Sequence, residues 1–557
     1  MNIGQAKQDI KDTVRLYLKK DEFGEYRIPV VRQRPIFLIG APGIGKTAIM
    51  EQIAQELQIA LVSYSMTHHT RQSALGLPVI CHREYEGKEY DVSEYTMSEI
   101  IASVYEVMRE SGLKEGILFL DEINCVSETL APSMLQFLQY KVFGGHRVPE
   151  GWVIVTAGNP KEYNRSVREF DVVTLDRLKV LCVEADYEAW KRYAEQGGLH
   201  RAVLNYLELK KQDFYVMEMT AKGRAYVTAR GWEDLSQMLF LYEEESLPVT
   251  EELVGQYLGH ERVFREFMAY YDLYCKYQKD YHISEILRGN ASEEMRTKAA
   301  GAPFDERISL LGMLTDSMDG MLRECMEKTD YLENLMQILK NVKRQMGAAS
   351  EAERGGISAD EALSVQITAR ERLLDSLSAA KALSPADQRM HKRVLAFLRE
   401  QKRSLLLAGE RTSAGDSAAP GTPSSPGDNV TPGTPSSSGD NAAPRNQHPF
   451  GKGENVDADS AEGQFAMIRQ AFARETASAQ KETVQVKQCL HHLFSFVEQV
   501  FAGGNELLLL VTHMTATDCC AGFVARFGCE DYERHSGELM LSERRGALLQ
   551  EVQELEL

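Results

Sequence analysis

Eight consecutive residues, Gly40-Ala41-Pro42-Gly43-Ile44-Gly45-Lys46-Thr47, satisfy the pattern G-x-x-x-x-G-K-[ST] in full. Glycines at this spacing let successive backbone N–H groups turn inward and surround phosphate oxygens. A helix opening at the same point adds partial positive charge. Gly40, Pro42, Gly43, Ile44, Gly45, Lys46, Thr47 and Ala48 are therefore the candidate phosphate-binding residues. Lys46 would reach the β and γ phosphates of a nucleoside triphosphate, and Thr47 would ligate Mg²⁺.

About 75 residues on, "ILFLDEIN" (117–124) places two carboxylates after four apolar residues. The apolar run reads as a buried strand, and ligands of an open α/β sheet bind at the C-terminal edge of its strands. Asp121 suits the Mg²⁺ shell, and Glu122 is placed to polarise an attacking water as general base. Alone, such a pair is more often a solvated strand end; after a phosphate loop it gains meaning. Asn159, in "VTAGNP", ends the next apolar run. Its amide could hydrogen-bond the attacking water or the γ-phosphate, although Asn-Pro is also a common turn.

Two arginines complete the set. Arg177 lies in "TLDRLKV" and Arg230 in "VTARGWEDLSQML". An arginine from a neighbouring subunit can stabilise transition-state charge on phosphate, and one on a lid can sense the γ-phosphate. A surface ion pair is the competing reading for each.

These residues need elements to hold them. "PIFLIG" (35–40), "ALVSYSM" (60–66), "GILFLDE" (116–122), "GWVIVTAGNP" (151–160) and "DRLKVLCVE" (176–184) read as strands or lead into them. "KTAIMEQIAQELQ" (46–58) and "SEIIASVYEVMRESG" (98–112) read as helices between them. Ile3, Ile10, Val14 and Tyr17 share one face of a further helix at the N-terminus. The alternation predicts a parallel sheet with helices on both faces.

The 557 residues carry a net charge of −19, which counts against broad nucleic-acid binding. With 43% hydrophobic and 26% charged residues the chain reads as soluble and globular. Nine scattered cysteines without a CxxC pair predict reduced thiols and a cytoplasmic protein. The N-terminal segment has no apolar core and does not read as a signal peptide, and the aliphatic run Leu507 to Val511 is too short to span a bilayer.

The order of these elements resembles the AAA+ ATPases, and more closely their MoxR-type, dynein-related branch, over about residues 30–290. The resemblance implies a P-loop at Gly40–Thr47, a strand-end pair at Asp121 and Glu122, and a sensor-1 asparagine at Asn159. It implies a sensor 2 at Arg230 and an arginine finger at Arg177; Arg165 and Arg168, in "NRSVREFDVVTLDR", lie close by, and Arg168 is the alternative. "LGLPVICHREYEGKEYDVSEYT" (75–96) alternates like a hairpin around Glu86-Gly87, like the helix-2 insert of this branch. "KVFGGHRVPEGW" (141–152) sits where a second hairpin is expected, turning at Gly144-Gly145. The resemblance further implies Mg²⁺-dependent ATP hydrolysis, a hexameric homo-oligomeric ring, and remodelling or chaperoning of a protein partner. A separate protein bearing a von Willebrand factor A domain is the expected partner, since no D-x-S-x-S pattern occurs in this chain. A nucleotide-gated scaffold, and a nucleic-acid-linked NTPase of the same branch, are the competing functions.

The expected organisation is an α/β P-loop NTPase core with the N-terminal helix (1–190), a helical AAA+ lid (191–290) and a helical region (291–408). "PGTPSSPGDNVT" and "PGTPSSSGDNAA" (420–443) are near duplicates in a stretch almost without apolar anchors, so 409–462 reads as a disordered linker. A helical C-terminal region (463–557) follows and could share one bundle with 291–408. His513, Cys519, Cys520, Cys529 and His535 match no common structural zinc spacing and read as buried or satisfied residues. His68 and His69 read as surface polar residues.

Overall fold

The computed structural model describes residues 1–69, 71–164, 166–220, 223–348, 357–415, 461–501 and 504–537. Of the expected linker 409–462, residues 416–460, with the duplicated Pro/Gly/Ser segment, lie outside the described residues, whereas 409–415 continue the helix Pro385–Gly415 and 461–462 open the helix Ala461–Val500. Gly355-Gly356, Arg165 and the last twenty residues, 538–557, also lie outside the described residues. The described strands are β1 (Ile36–Gly40), β2 (Ala60–Ser65), β3 (Pro78–Tyr85), β4 (Lys88–Tyr95), β5 (Gly116–Asp121), β6 (Val142–Phe143), β7 (His146–Arg147), β8 (Trp152–Gly158), β9 (Lys179–Val183), β10 (Val216–Thr220) and β11 (Gly223–Val227).

Five of them form one parallel sheet in the order β2-β5-β8-β1-β9. Alternation within each strand feeds two cores, as period-2 geometry requires. Phe37, Leu118, Leu120 and Ile154 enter one hydrophobic cluster; Ile36, Leu38, Ile117, Phe119, Val153 and Val155 enter the other. The helix Lys46–Leu57 and the N-terminal helix Ile3–Tyr17 cover the second face with Ile49, Ile53, Ile10 and Val14. Asn2 and Gln5 close a capping box at the start of the N-terminal helix.

The two expected hairpins form. β3 pairs antiparallel with β4 through Glu86 (φ 52°) and Gly87 (φ 76°), and β6 with β7 through Gly144 (φ 53°) and Gly145 (φ 91°). Both turns have two consecutive residues at positive φ, the geometry that matches strand twist. "FYVMEM" contributes β10, which pairs with β11. The second strand of that pair is not evident in the sequence, because Gly223–Val227 runs straight into the helix Ala229–Glu244.

The described residues of 187–281 carry five α-helices around an aromatic core in which Trp190, Tyr206, Phe214, Trp232 and Phe267 meet. Beyond it, the early part of the 45-residue helix Phe304–Ala348 packs with helices from the C-terminal segment. Leu310, Leu314, Met318 and Leu322 share a cluster with Leu490, Phe494, Leu510 and Phe523.

By its contacts the chain divides into two compact units. The first holds Met1–Asp330, Arg372–Met390 and Ala479–Leu557; the second holds Tyr331–Glu371 and His391–Ser478. The described residues of the second are mostly helical, and Leu335, Val342, Leu363, Val394, Leu398 and Ile468 are among those buried. Within the first, a turn between the helices Ala359–Ala379 and Pro385–Gly415 returns to the sheet. Ala380 and Ala382 are buried against it, and the Ala380 carbonyl accepts the Leu61 N–H at 3.0 Å. β2 is an edge strand, so this contact satisfies an otherwise open amide.

No single helix among the described residues is long and apolar enough to cross a membrane. One pair, Asn505–Ala516 and Asp518–Phe527, passes that test only together and is bent by 84°; it contributes Leu510, Val511 and Phe523 to the buried C-terminal cluster.

Candidate functional site

The loop Gly40–Thr47 joins β1 to the helix Lys46–Leu57, the strand-to-helix context that phosphate binding requires. Gly43 and Gly45 take φ of 74° and 92°. A side chain at Gly43 would also strike Thr228, with Cβ atoms 2.9 Å apart. Thr228 caps the helix Ala229–Glu244 by accepting the Gly231 N–H, and the Arg230 N–H reaches the Gly43 carbonyl at 3.3 Å. Tyr215 donates its hydroxyl to the Pro42 carbonyl at 3.1 Å. The helical segment after the sheet is thus seated directly on the loop, as a lid.

Lys46 is buried, and its Nζ donates to the carbonyls of Gly40 and Ala41 at 2.8 Å and to Asn159 Oδ1 at 2.9 Å. Burial pulls its pKa down to about 8; Asp121 opposes the shift and the Arg230 charge adds to it. Thr47 Oγ1 donates to Asp121 Oδ2 at 2.9 Å. This hydroxyl–carboxylate pair is all-oxygen, the hard donor chemistry that Mg²⁺ prefers.

Glu122 sits at φ 54°, a left-handed conformation that costs a non-glycine residue about 1 kcal/mol or more. Its N–H donates to Asp121 Oδ1 at 2.8 Å. Its carboxylate accepts from Ser65 Oγ at 3.0 Å and from Thr67 Oγ1 at 3.1 Å, both beyond or at the end of β2. Neither hydroxyl is marked in the sequence, because nothing local links "SMT" to "DE".

Asn159 follows β8 with its side chain on Lys46 and its backbone carbonyl held by Asn124 Nδ2 at 2.8 Å. Asn124 is buried, and a Cβ at Gly158 would stand 2.7 Å from its Cγ. The residue is visible in "ILFLDEIN", but its partner is known only once β5 and β8 are neighbours.

Lys46, Thr47, Asp121, Glu122, Asn159 and Arg230 all line one cavity of about 1220 Å³. Pro42, Gly43, Ile44, Gly45 and Ala48 also line it, whereas Gly40 lies behind the loop against Val183. Walls that the motifs do not reveal come from Asn2, Ile3 and Gly4 and from Trp190, Tyr193 and Glu233 of the lid. Trp190 Nε1 donates to Glu233, whose carboxyl is raised by burial.

Arg177 does not join its own chain's cavity. It is exposed, and its Nη1 donates to Gln139 Oε1 at 2.7 Å. Arg168 is exposed too and pairs with Glu128, while its N–H donates to the Asn124 carbonyl at 2.9 Å.

In the C-terminal cluster, His513, Cys520 and Asp319 bring ligand-type atoms within 4.8 Å of one another. One carboxylate accounts for the grouping. Asp319 accepts from Arg201 Nη2 at 2.6 Å and Cys520 Sγ at 3.1 Å, and pairs with His513 Nε2 at 2.9 Å. His535 pairs with Glu498. Among the described residues all cysteines are free thiols. His69 Nδ1 pairs with Ser73 at 3.2 Å.

Residues 36–175 match the model of the ATPase family associated with various cellular activities (AAA). A curated relative, Chaperone protein ClpB 2 of Parasynechococcus marenigrum (strain WH8102), is 26% identical over 377 residues, covering 65% of this chain and 36% of that protein. The chain thus spans about a third of that relative's length. The crystal structure of NtrX from Brucella abortus in complex with ADP aligns at 17% identity with a TM-score of 0.22, over 37% of this chain and 41% of that one. The matched residues 36–175 lie in an α/β P-loop core, which is followed by a helical lid and, among the described residues, an all-α C-terminal region.

Proposed function

We propose that this AAA-type ATPase domain makes the chain a Mg²⁺-dependent ATPase of the MoxR-like, dynein-related branch, working as a homo-oligomeric, hexameric ring. The ring converts hydrolysis into remodelling of a protein partner, with a separate von Willebrand factor A-type protein as the expected companion. The observation that carries the catalytic part is the convergence of Lys46, Thr47, Asp121, Glu122, Asn159 and Arg230 on one cavity. The two antiparallel inserts, β3–β4 and β6–β7, support the branch. The likeness to a chaperone protein supports remodelling.

Lys46 and Arg230 place two cations where the phosphates enter. Lys46 exchanges its loop carbonyls for phosphate oxygens and keeps its charge there. Mg²⁺, held by Thr47 and Asp121 directly or through water, would neutralise charge on the β and γ phosphates. Glu122 accepts the proton of the attacking water, and Asn159 orients that water through its amide. Ser65 and Thr67 hold the Glu122 carboxylate until then. Arg177, outside its own cavity, reaches a neighbour's γ-phosphate and completes that site; Arg168 is the alternative donor.

The test is ATP turnover per chain across a dilution series, with Glu122→Gln alongside. The expected result is specific activity that rises with concentration and a variant that binds ATP but turns over at least about 100-fold more slowly. Turnover absent at every concentration, or undiminished in Glu122→Gln, removes the proposal.

A further inference from the structure

Asn124 stands two residues past the proposed base, on the short turn Ile123–Cys125 that follows β5. It is 3% exposed, so its amide is placed for a purpose other than solvation. Its Nδ2 donates to the backbone carbonyl of Asn159 at 2.8 Å. Its backbone carbonyl accepts the Arg168 N–H at 2.9 Å. A third link lies beside it, where Asn164 Nδ2 meets Cys125 Sγ at 3.4 Å. Gly158 leaves the space that the Asn124 amide fills; a methyl there would overlap it.

These contacts fasten the start of the loop after β8 to the carboxylate end of β5. Asn159 needs such a hold. Its side chain must present Oδ1 to Lys46 and its amide nitrogen to a γ-phosphate or water, yet it has left the strand ladder, whose last β8 residue is Gly158. A peptide fixed at its carbonyl has a fixed neighbouring side-chain direction, because the peptide plane is rigid.

We propose that Asn124 is a positioning residue for Asn159, and the joint through which the loop bearing Arg168 is kept in register with Asp121 and Glu122. It is not among the residues that line the cavity, and its side chain acts on the site through Asn159. The inference rests on the ATPase reading above and deepens it. It explains why an amide is needed: aspartate has the same shape but would set a carboxylate oxygen against the Asn159 carbonyl.

The test uses the full chain with Asn124→Asp, Asn159→Ala and the double variant. Binding of ATP and of ADP with Mg²⁺ is measured by calorimetry, beside turnover. Asn124→Asp is expected to lower the preference for ATP over ADP about tenfold, with ADP affinity kept within about twofold, and to lower kcat about tenfold or more. The double variant is expected to be no worse than Asn159→Ala, because both changes remove one function. Gly158→Ala is expected to copy the loss of ATP preference by displacing the amide.

Full additivity in the double variant overturns the inference. So does a fall in melting temperature with ATP preference unchanged. A parent protein without any preference for ATP over ADP overturns it as well, since Asn159 then senses no γ-phosphate. A parent protein that prefers ATP but never hydrolyses it removes the ATPase reading alone, because nucleotide preference is read by binding.

Discussion

The buried state of Lys46 makes nucleotide affinity depend on pH in a range where an ordinary lysine would be silent. Free of ligand, the ammonium is desolvated, bonded to two loop carbonyls and Asn159, and faced by Arg230, and its pKa is about 8 instead of 10.5. Phosphate oxygens brought against Nζ stabilise the charged form, so bound Lys46 stays protonated well above that value. Binding therefore takes up a proton once the pH passes 8. At pH 7 about nine-tenths of the free protein carries the charge, and at pH 9 about one-tenth, so affinity falls about tenfold between them. A lysine of ordinary pKa would lose only a few per cent over the same span. The terminal phosphate, whose second ionisation lies at about pH 6, is almost fully ionised by pH 7, and the little charge it still gains would strengthen binding rather than weaken it. The assay is isothermal titration calorimetry with Mg²⁺ and a non-hydrolysable ATP analogue at pH 7, 8 and 9, in buffers of differing ionisation heat. Proton uptake should approach one per site at pH 9. Lys46→Arg, whose guanidinium does not titrate, should bind with little pH dependence. Arg230→Ala should move the midpoint upward, because a cation that depresses Lys46 is gone. Affinity flat from pH 7 to 9 with no buffer-dependent heat would refute the reasoning.

Other expectations follow from single contacts. Ser65→Ala with Thr67→Ala releases the Glu122 carboxylate; turnover should change at least about threefold in either direction, while ATP affinity stays put, as steady-state kinetics beside calorimetry will read. Arg177→Ala should lose turnover, and mixing it with Glu122→Gln protein should restore part of it, because a mixed ring holds sites with both an intact base and an intact finger; if no activity returns, a finger acting between subunits is excluded. Lys141 is buried beside Gln33, and desolvation lowers its pKa from 10.5 to about 8. Its folded value lies below its unfolded one, so stability should rise with pH between about 8 and 10.5 and be missing below 8. At 1.36 kcal/mol per pH unit the charged form costs about 3 kcal/mol at pH 7, and Lys141→Met should recover much of that in denaturant melts. A destabilised Lys141→Met protein would show that the ammonium is better solvated than its burial implies.

The residues that gather at the cavity were legible because their motifs are local. The loop needs glycines at Gly43 and Gly45 for positive φ and a lysine and threonine at the helix start, and all lie within eight residues. The strands declare themselves by apolar content, and two-residue turns at Glu86-Gly87 and Gly144-Gly145 fix both hairpins by backbone twist alone. Even the face of the N-terminal helix, with Ile10 and Val14, follows from its 3.6-residue period.

Tertiary structure decided the contacts that span many residues. Lys46 meets Asn159, Ser65 and Thr67 meet Glu122, and Asn124 meets Asn159 only because β2, β5, β8 and β1 lie side by side. The order of strands in a sheet is not written in the alternation of any one of them. The lid's seat on Gly43 depends on where Thr228 lands. The return of Ala380 and Ala382 to the edge of β2 was equally hidden, since "AAKALSP" reads as helix until burial of both alanines and Lys381 at φ 53° break it. Sequence fixes what short stretches of backbone prefer; the burial that draws distant stretches together is a property of the whole packed chain.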